Sequence, residues 1–443
     1  MPVPQGELYH SVEHCLASNF AEGCAIGGGL SVIVSVLPAL LKGKVRQAGQ
    51  NIATIGNVRV ALFFGSLMSV YNGGQYLSRS ARVEHDRKLR LLLGFLSGLS
   101  VAVLPKGVRR FLVYFLLSRS IEVAARLART SKRRRALRAM PLSDFTEVPT
   151  PDTIPESKDD LFSSHEVVGL TSFSMTVIIT AWFRYTHVVP KGYLQFLVGI
   201  NNLSPKTVTD LQRILLSDMS FSPEVSKVVL RQERMCSVVH PAGESCSRFL
   251  LSFLMQGIVT RTGPFYLKLY MLPLLFSIAK RRGKNISSDL FINFAKRVWW
   301  SSLFLSTMNA TVAGTVCAFG HLRPLSYHPA IPLASHAGFG GTLCALSLYL
   351  EQDNRRLELA LYLFSQAIQI MVNAYEAMGW WSPPGMDIVG CASSVALMTY
   401  AFAEQADLAP RADIPIIRPG YIGMMSRMLD TTVNRHTLRL GLI

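Results

Sequence analysis

The feature that most limits what this chain can fold into is a series of ten apolar runs, several of them short or marginal for a bilayer crossing, bounded by charged or turn-forming residues. Five lie in the first half, at residues 24–41, 60–77, 91–104, 111–127 and 167–183, and five in the second, at 249–279, 298–319, 333–350, 357–374 and 388–402. A helix crossing the hydrocarbon core needs about 20 mostly apolar residues, with about 17 tolerated. A helix that is apolar on every side is either a membrane span or the centre of a large core. A soluble chain of 443 residues has no room to centre ten of them. The expected fold class is therefore all-α: a polytopic membrane helical bundle.

Composition agrees. Only 16% of residues are charged, against about 25% in soluble chains. The net charge is +17, and Lys and Arg collect beside the apolar runs. That placement fits topology control and anionic headgroups rather than nucleic acid, for which no motif stands in its confirming context. The expected partners are the lipid bilayer, anionic lipids at the basic loops, and other membrane proteins or further copies. The first 20 residues are neither Arg-rich nor apolar, so a cleaved leader is not expected and any targeting signal is expected to be internal.

The runs also repeat. Residues 28–41 read GGLSVIVSVLPALL and 263–276 read GPFYLKLYMLPLLF, with Leu37-Pro38 and Leu272-Pro273 in register. Gly65-Ser66 and Gly73 match Ser306-Thr307 and Gly314 in the second helix of each half. Gly94-Phe95 stands opposite Gly338-Phe339 or Gly340 in the third, and Arg109-Arg110 matches Arg355-Arg356 before the fourth. In the fifth, Glu166-Val167-Val168-Gly169 matches Asp387-Ile388-Val389-Gly390, with Ser172 opposite Ser393. Cys15 and Cys24 precede the first helix much as Cys236 and Cys246 precede its counterpart. The common order predicts two internally duplicated units of four to five transmembrane helices each.

The expected domains follow. Residues 1–129 are the first four helices. Residues 130–164 form a loop that opens on Lys132-Arg133-Arg134-Arg135 and turns acidic and Pro-rich. Residues 165–200 carry the fifth helix, 201–243 an amphipathic linker, 244–430 the second repeat and 431–443 a tail. Five helices per repeat would place the second copy inverted in the bilayer, the plan of many transporters.

The segment from Cys236 through His240-Pro241, Ser245-Cys246, Phe249-Leu250 and Tyr266 to Leu269-Tyr270 and Pro273 resembles the Cys-containing domain of the transmembrane protein 135 family. Gly65-Ser66-Leu67-Met68-Ser69-Val70-Tyr71 and Gly94-Phe95-Leu96-Ser97-Gly98-Leu99-Ser100 are similar to that family's G-S-x-x-S-x-Y and G-F-L-A-G-x-S segments. The resemblance implies a multi-pass protein of peroxisomal or mitochondrial membranes, concerned with organelle dynamics and lipid metabolism. It also implies a distant likeness to the channel subunits of the mitochondrial inner-membrane translocases.

Candidate sites are few. Gly94-x-x-x-Gly98 lets two helix backbones approach closely. With Gly28, Gly65, Gly314 and Gly340 it makes up the expected helix-packing set. Cys15, Cys24, Cys236 and Cys246 are candidate disulfide or thiol pairs. Cys236, His240 and Cys246 lack the spacing of a zinc site, so no metal is expected. Glu166 and Asp387 are candidate carboxylates, read either as acidic residues favoured at a helix N-terminus or as cavity-facing groups. No catalytic motif appears in context, so neither an enzyme nor a cofactor is expected. Three functions stand: organelle membrane dynamics or lipid and solute handling, secondary transport, and assembly of a membrane complex.

Overall fold

The computed structural model describes residues 5–41, 44–52, 54–80, 87–139, 163–201, 245–280, 288–326, 333–380 and 385–408. The fold is all-α, with no strand among these residues. In chain order the helices are α1 (Gln5–Leu41), α2 (Val45–Ile52), α3 (Ile55–Ser80), α4 (Arg87–Gly98), α5 (Lys106–Ala139), α6 (Ser164–Arg184) and α7 (Lys191–Ile200). Then come α8 (Cys246–Gly257), α9 (Gly263–Lys280), α10 (Ser288–Ser326), α11 (Leu333–Cys344), α12 (Asp353–Ala377) and α13 (Met386–Leu408). A π turn, Ile258–Thr262, joins α8 to α9.

Two compact units result, Met1–Pro155 with Ser382–Ile443, and Glu156–Trp381. The expected boundaries are not those of the units. The first unit holds α1–α5 with α13, and the second holds α6–α12. A second correction concerns the loop expected from residue 130. Helix α5 runs on through Lys132-Arg133-Arg134-Arg135 to Ala139, because Ala, Leu, Lys and Arg are all strong helix formers. The linker at 201–243 and the tail at 431–443 lie outside the described residues.

One local device occurs in each unit. Helix α4 tightens into a 3₁₀ turn, Leu99–Val103, which closes on the extended residue Leu104 before α5 begins. Helix α11 tightens in the same way into Ala345–Leu350, closing on the extended residue Glu351 before α12. A 3₁₀ turn rises about 2.0 Å per residue against about 1.5 Å in an α-helix. Twelve α residues and five or six 3₁₀ residues therefore reach about 28–30 Å, the thickness of a hydrocarbon core.

In the first unit, α1 and α3 close on glycines. A Cβ on Gly23 would lie 2.6 Å from the Phe64 carbonyl oxygen, and one on Gly65 would lie 2.5 Å from Cys24 Sγ. Polar side chains line the same seam. Asn72 donates to Asn19 Oδ1 at 2.8 Å, and Ser69 donates to the Leu16 carbonyl at 3.1 Å. Helix α4 packs on α13: a Cβ on Gly94 would meet Ala396 Cα at 2.7 Å, and one on Gly98 would meet Ala392 Cα at 2.6 Å.

In the second unit, α11 packs on α6 in a similar manner. A Cβ on Gly341 would lie 2.6 Å from the Met175 carbonyl oxygen and 2.9 Å from Thr176 Cα. Thr176 Oγ1 donates to the Gly338 carbonyl at 3.2 Å and pairs with the Thr342 hydroxyl at 2.8 Å. The core of this unit gathers Ile178, Trp182, Phe183, Phe304, Leu348, Leu361 and Ile370. The π turn is held to α10 by Thr262, whose hydroxyl donates to the Ser302 carbonyl at 3.1 Å.

Two stretches among the described residues are long and apolar enough to cross a membrane by length and composition, Ser164–Arg184 and Arg355–Ala377, with Gly338–Leu350 and Met386–Ala401 shorter. Ten had been expected. Polar insertions account for part of the difference: α10 carries Ser301, Ser302, Ser306, Thr307, Asn309, Thr311 and Thr315 inside its apolar run, and α5 carries Arg119, Glu122 and Arg126.

Candidate functional site: a buried carboxylate in the second unit

The 3₁₀ turn after α11 ends on an acidic residue with apolar neighbours on its N-terminal side. The Glu351 side chain is 1% exposed. Its position is fixed by Arg356, which donates from Nε to the Leu348 carbonyl at 3.1 Å and the Glu351 carbonyl at 2.9 Å, and from Nη2 to the Tyr349 carbonyl at 2.8 Å. The Leu348 carbonyl also accepts from the Glu351 N–H at 3.0 Å, and carbonyls at a helix end otherwise lack intrahelical partners. One guanidinium thus closes the 3₁₀ turn and holds the break before α12.

Donors then converge on one oxygen of the carboxylate. Ser301 Oγ of α10 donates to Oε1 at 3.1 Å, the Gln352 N–H at 3.2 Å, and Arg355 Nη1 at 3.3 Å. Arg355 makes its shorter bond to Ser301 Oγ, at 2.8 Å, and its guanidinium lies over the Tyr270 ring, 5.0 Å from the centroid. With the serine proton committed to Glu351, the Tyr270 hydroxyl of α9 is the donor in its 2.9 Å bond to Ser301 Oγ. A hydroxyl has one donor and two acceptor positions, so Ser301 is saturated. The chain runs Tyr270 to Ser301 to Glu351.

The second oxygen is different: Oε2 is buried with no hydrogen-bond partner among the described residues. A buried ionised oxygen without a donor is costly. Burial accordingly holds the Glu351 carboxyl above its ordinary range, against the lowering influence of the Ser301 hydroxyl, the Gln352 N–H and the Arg356 charge. Arg355 does not cancel this, because it approaches end-on at 3.3 Å rather than as a two-pronged fork.

Glu351 was absent from the residues singled out in the sequence. The available signal was a lone acid closing the run 333–350, four residues before Arg355. Glu166 and Asp387 occupy other settings. Glu166 is exposed and closes a capping box: Ser163 Oγ accepts from its N–H at 3.2 Å, and its carboxylate accepts from the Ser163 N–H at 2.8 Å. Asp387 accepts from Arg109 Nε, tying the start of α13 to α5.

The glycines divide. Gly65, Gly94 and Gly98 sit against neighbouring helices too closely for a Cβ. Gly314 faces Leu250 at 3.2 Å, Gly340 faces Thr315 at 3.3 Å, and Gly28 is in ordinary contact with Ala61 at 3.4 Å. The tightest glycine of α11 is Gly341, which the expected alignment of the third helices passed over. A disulfide between Cys15 and Cys24 is not formed. The two stand nine residues apart on α1, a rise of about 13.5 Å, whereas a bridge needs Cα atoms within about 7 Å. Neither is in a disulfide, nor is Cys246, while Cys236 and His240 lie outside the described residues. Among the described residues, no three His, Cys, Asp or Glu side chains stand close enough to hold a metal. Comparison of the chain with protein-family models, with curated proteins and with solved structures finds no match.

Proposed function

We propose that this chain is a multi-pass membrane protein of the transmembrane protein 135 type, built from two copies of a five-helix repeat, that handles lipid or solute in a peroxisomal or mitochondrial membrane. One observation supports the reading: several large apolar side chains stand exposed while several polar ones are buried. Val259 is 69% exposed and Leu251 64%, while Arg119 is 6% exposed, Glu122 4% and Asn72 0%. Water penalises wide apolar exposure, whereas lipid penalises outward charge. Lys296-Arg297 followed by the exposed Trp299-Trp300 on α10 fits a membrane–water interface, where aromatic and basic residues anchor a helix.

The duplication gains a register from the tight glycines. Gly94 stands ten residues before Leu104, and Gly341 ten before Glu351. Ala396 stands nine residues after Asp387, and Met175 nine after Glu166. The third helix of each copy thus meets the fifth helix of the other copy at one and the same position. In this reading the copies have exchanged fifth helices. Counted from the same landmarks, Arg109 corresponds to Arg356 rather than Arg355.

A transporter is the reading that Glu351 favours over an assembly subunit, because it is a buried carboxyl at the end of an apolar run with one oxygen lacking a partner among the described residues. The test is alkaline extraction of organelle membranes with protease-cleavable tags before Ser11, near Ser204 and after Arg439. The expected result is retention in the membrane, both end tags cleaved together and the Ser204 tag protected. Release of the chain by alkali overturns the membrane reading.

A further inference from the structure

We infer that Oε2 of Glu351 is an exchangeable proton-binding site, and that the second unit takes up one proton there. The inference rests on the membrane reading for its meaning, because a proton site in a carrier is a coupling site, but its geometry stands alone.

The carboxylate is asymmetric in a way a structural ion pair is not. Oε1 collects Ser301, the Gln352 N–H and Arg355, whereas Oε2 is buried and has no partner among the described residues. A guanidinium that uses its fork on a carboxylate engages both oxygens. Here Arg355 spends its shorter bond on Ser301. A proton delivered by hydronium to Oε2, leaving water, makes the group neutral and leaves every bond to Oε1 in place. Protonation therefore requires no rearrangement of the Tyr270–Ser301–Glu351 chain.

The surroundings select a proton over a metal ion. The groups facing Glu351 are the phenols of Tyr266 and Tyr270 from α9, Ser301 from α10, and Arg355 and Arg356 from α12, with Asp353 engaged by Arg356 at 2.6 Å. Two guanidinium groups beside one carboxylate repel a second cation, and among the described residues no group of three His, Cys, Asp or Glu side chains stands ready to ligate one. The site also lies in the break between a helix ending at Leu350 and one beginning at Asp353, where chain geometry rather than a continuous helix surrounds the acid. Arg355 is 23% exposed on its side chain, so the polar cluster reaches the surface of the unit.

The test is infrared difference spectroscopy of the full chain in proteoliposomes of phosphatidylcholine and cardiolipin, between acidic and alkaline buffer. The expected result is a C=O band of a buried protonated carboxylic acid that titrates with pH and is lost entirely in Glu351→Gln. Ser301→Ala provides a second reading that does not depend on the folding of that variant. It removes a donor to the charged form, so the band should persist to higher pH than in the wild type. A spectrum in which no protonated band is removed by Glu351→Gln, or in which Ser301→Ala leaves the midpoint where it was, overturns the proton site. Flotation of the same proteoliposomes in alkaline carbonate separates the two readings. A chain that floats without the band keeps the membrane reading and loses the proton site. A chain that fails to float but shows the band does the reverse.

Discussion

Gly341→Ala puts a single methyl into the seam between α11 and α6, and its cost can be worked out. The new Cβ would lie 2.6 Å from the Met175 carbonyl oxygen, 2.8 Å from the Met175 carbonyl carbon and 2.9 Å from Thr176 Cα. All three are backbone atoms of α6, so no side chain can swing away. Carbon atoms are comfortable at about 3.5–4.0 Å, and the helices must part by about 0.7–1 Å. A gap of that size forfeits about a quarter to a half of each contact's dispersion energy. A seam with as many atom pairs as one buried leucine, about 40 at about 0.15 kcal/mol, holds about 6 kcal/mol, of which about 1.5–3 kcal/mol would go. The Thr176 bonds to Gly338 and Thr342 stretch with it. Alanine returns up to about 1 kcal/mol through helix propensity. The net loss is about 1–2 kcal/mol, within the usual range for overpacking.

The control is on the partner helix. Gly169 of α6 is exposed and has nothing within 4 Å of a built Cβ, so Gly169→Ala keeps the propensity gain and meets no clash. Detergent-solubilised protein unfolded by added SDS reports both, through the fluorescence of Trp182, which is 3% exposed on α6. The midpoint should fall for Gly341→Ala and hold or rise for Gly169→Ala. If both variants move the midpoint alike, the close approach of α11 to α6 does not govern stability and the reasoning fails.

Two further outcomes follow from the charges. Removing the Arg109–Asp387 pair, which links α5 to α13 with side chains 19% and 16% exposed, should cost about 1 kcal/mol. A double-mutant cycle of Arg109→Gln and Asp387→Asn should show a matching coupling, and additive single effects would show the pair to be idle. For Glu351 the folded carboxyl lies above its unfolded value, so the folded state binds the extra proton. Its contribution to stability is complete below the unfolded pKa and is lost as pH rises through the folded one. The unfolding midpoint of the wild type should therefore fall with rising pH across that window, relative to Glu351→Gln, and parallel pH profiles for the two would count against the buried carboxylate.

Which parts of this were legible in the sequence depends on how local the physics is. All-α structure was, because apolar runs and helix formers act within a few turns. So was the N-terminus of α6, where Ser163 and Glu166 form a capping box from residues three apart. The extension of α5 through its basic run was missed because charge was read as a loop signal, although Arg and Lys are good helix formers. The 3₁₀ turns were illegible: nothing in Leu99–Val103 or Ala345–Leu350 distinguishes them from the α-helices they continue. That shift in register hid Gly341 behind Gly340 and Gly338. Glu351 could not be found from its run alone, because its character comes from Ser301 and Tyr270, 50 and 81 residues away in the chain, which meet it only once α9, α10 and α12 have packed.

The proposed exchange of fifth helices would turn the duplication from a pattern into a constraint. In that reading Gly94 and Gly98 are shaped to a helix of the second copy, and Gly341 to a helix of the first. Neither half of the chain holds the helix its own glycines accommodate. A chain divided at residues 201–243 leaves two fragments, each with an uncovered glycine face and a fifth helix that has lost its seat. Such faces have little besides close backbone packing to recommend them, since glycines bury almost no side-chain area and their value lies in the approach they permit. In that reading the two copies would mature together, and selection on the third helix of one copy would fall directly on the fifth helix of the other. In that reading the copies diverge at the crossing itself, where Ala396 stands in one and Met175 in the other, and in the break before the fourth helix, where Leu104 stands in place of Glu351. An acid site present in one copy alone is then what a duplicated frame with an exchanged helix permits: the close approach kept at Gly94 and Gly341, and the break before the fourth helix left to specialise.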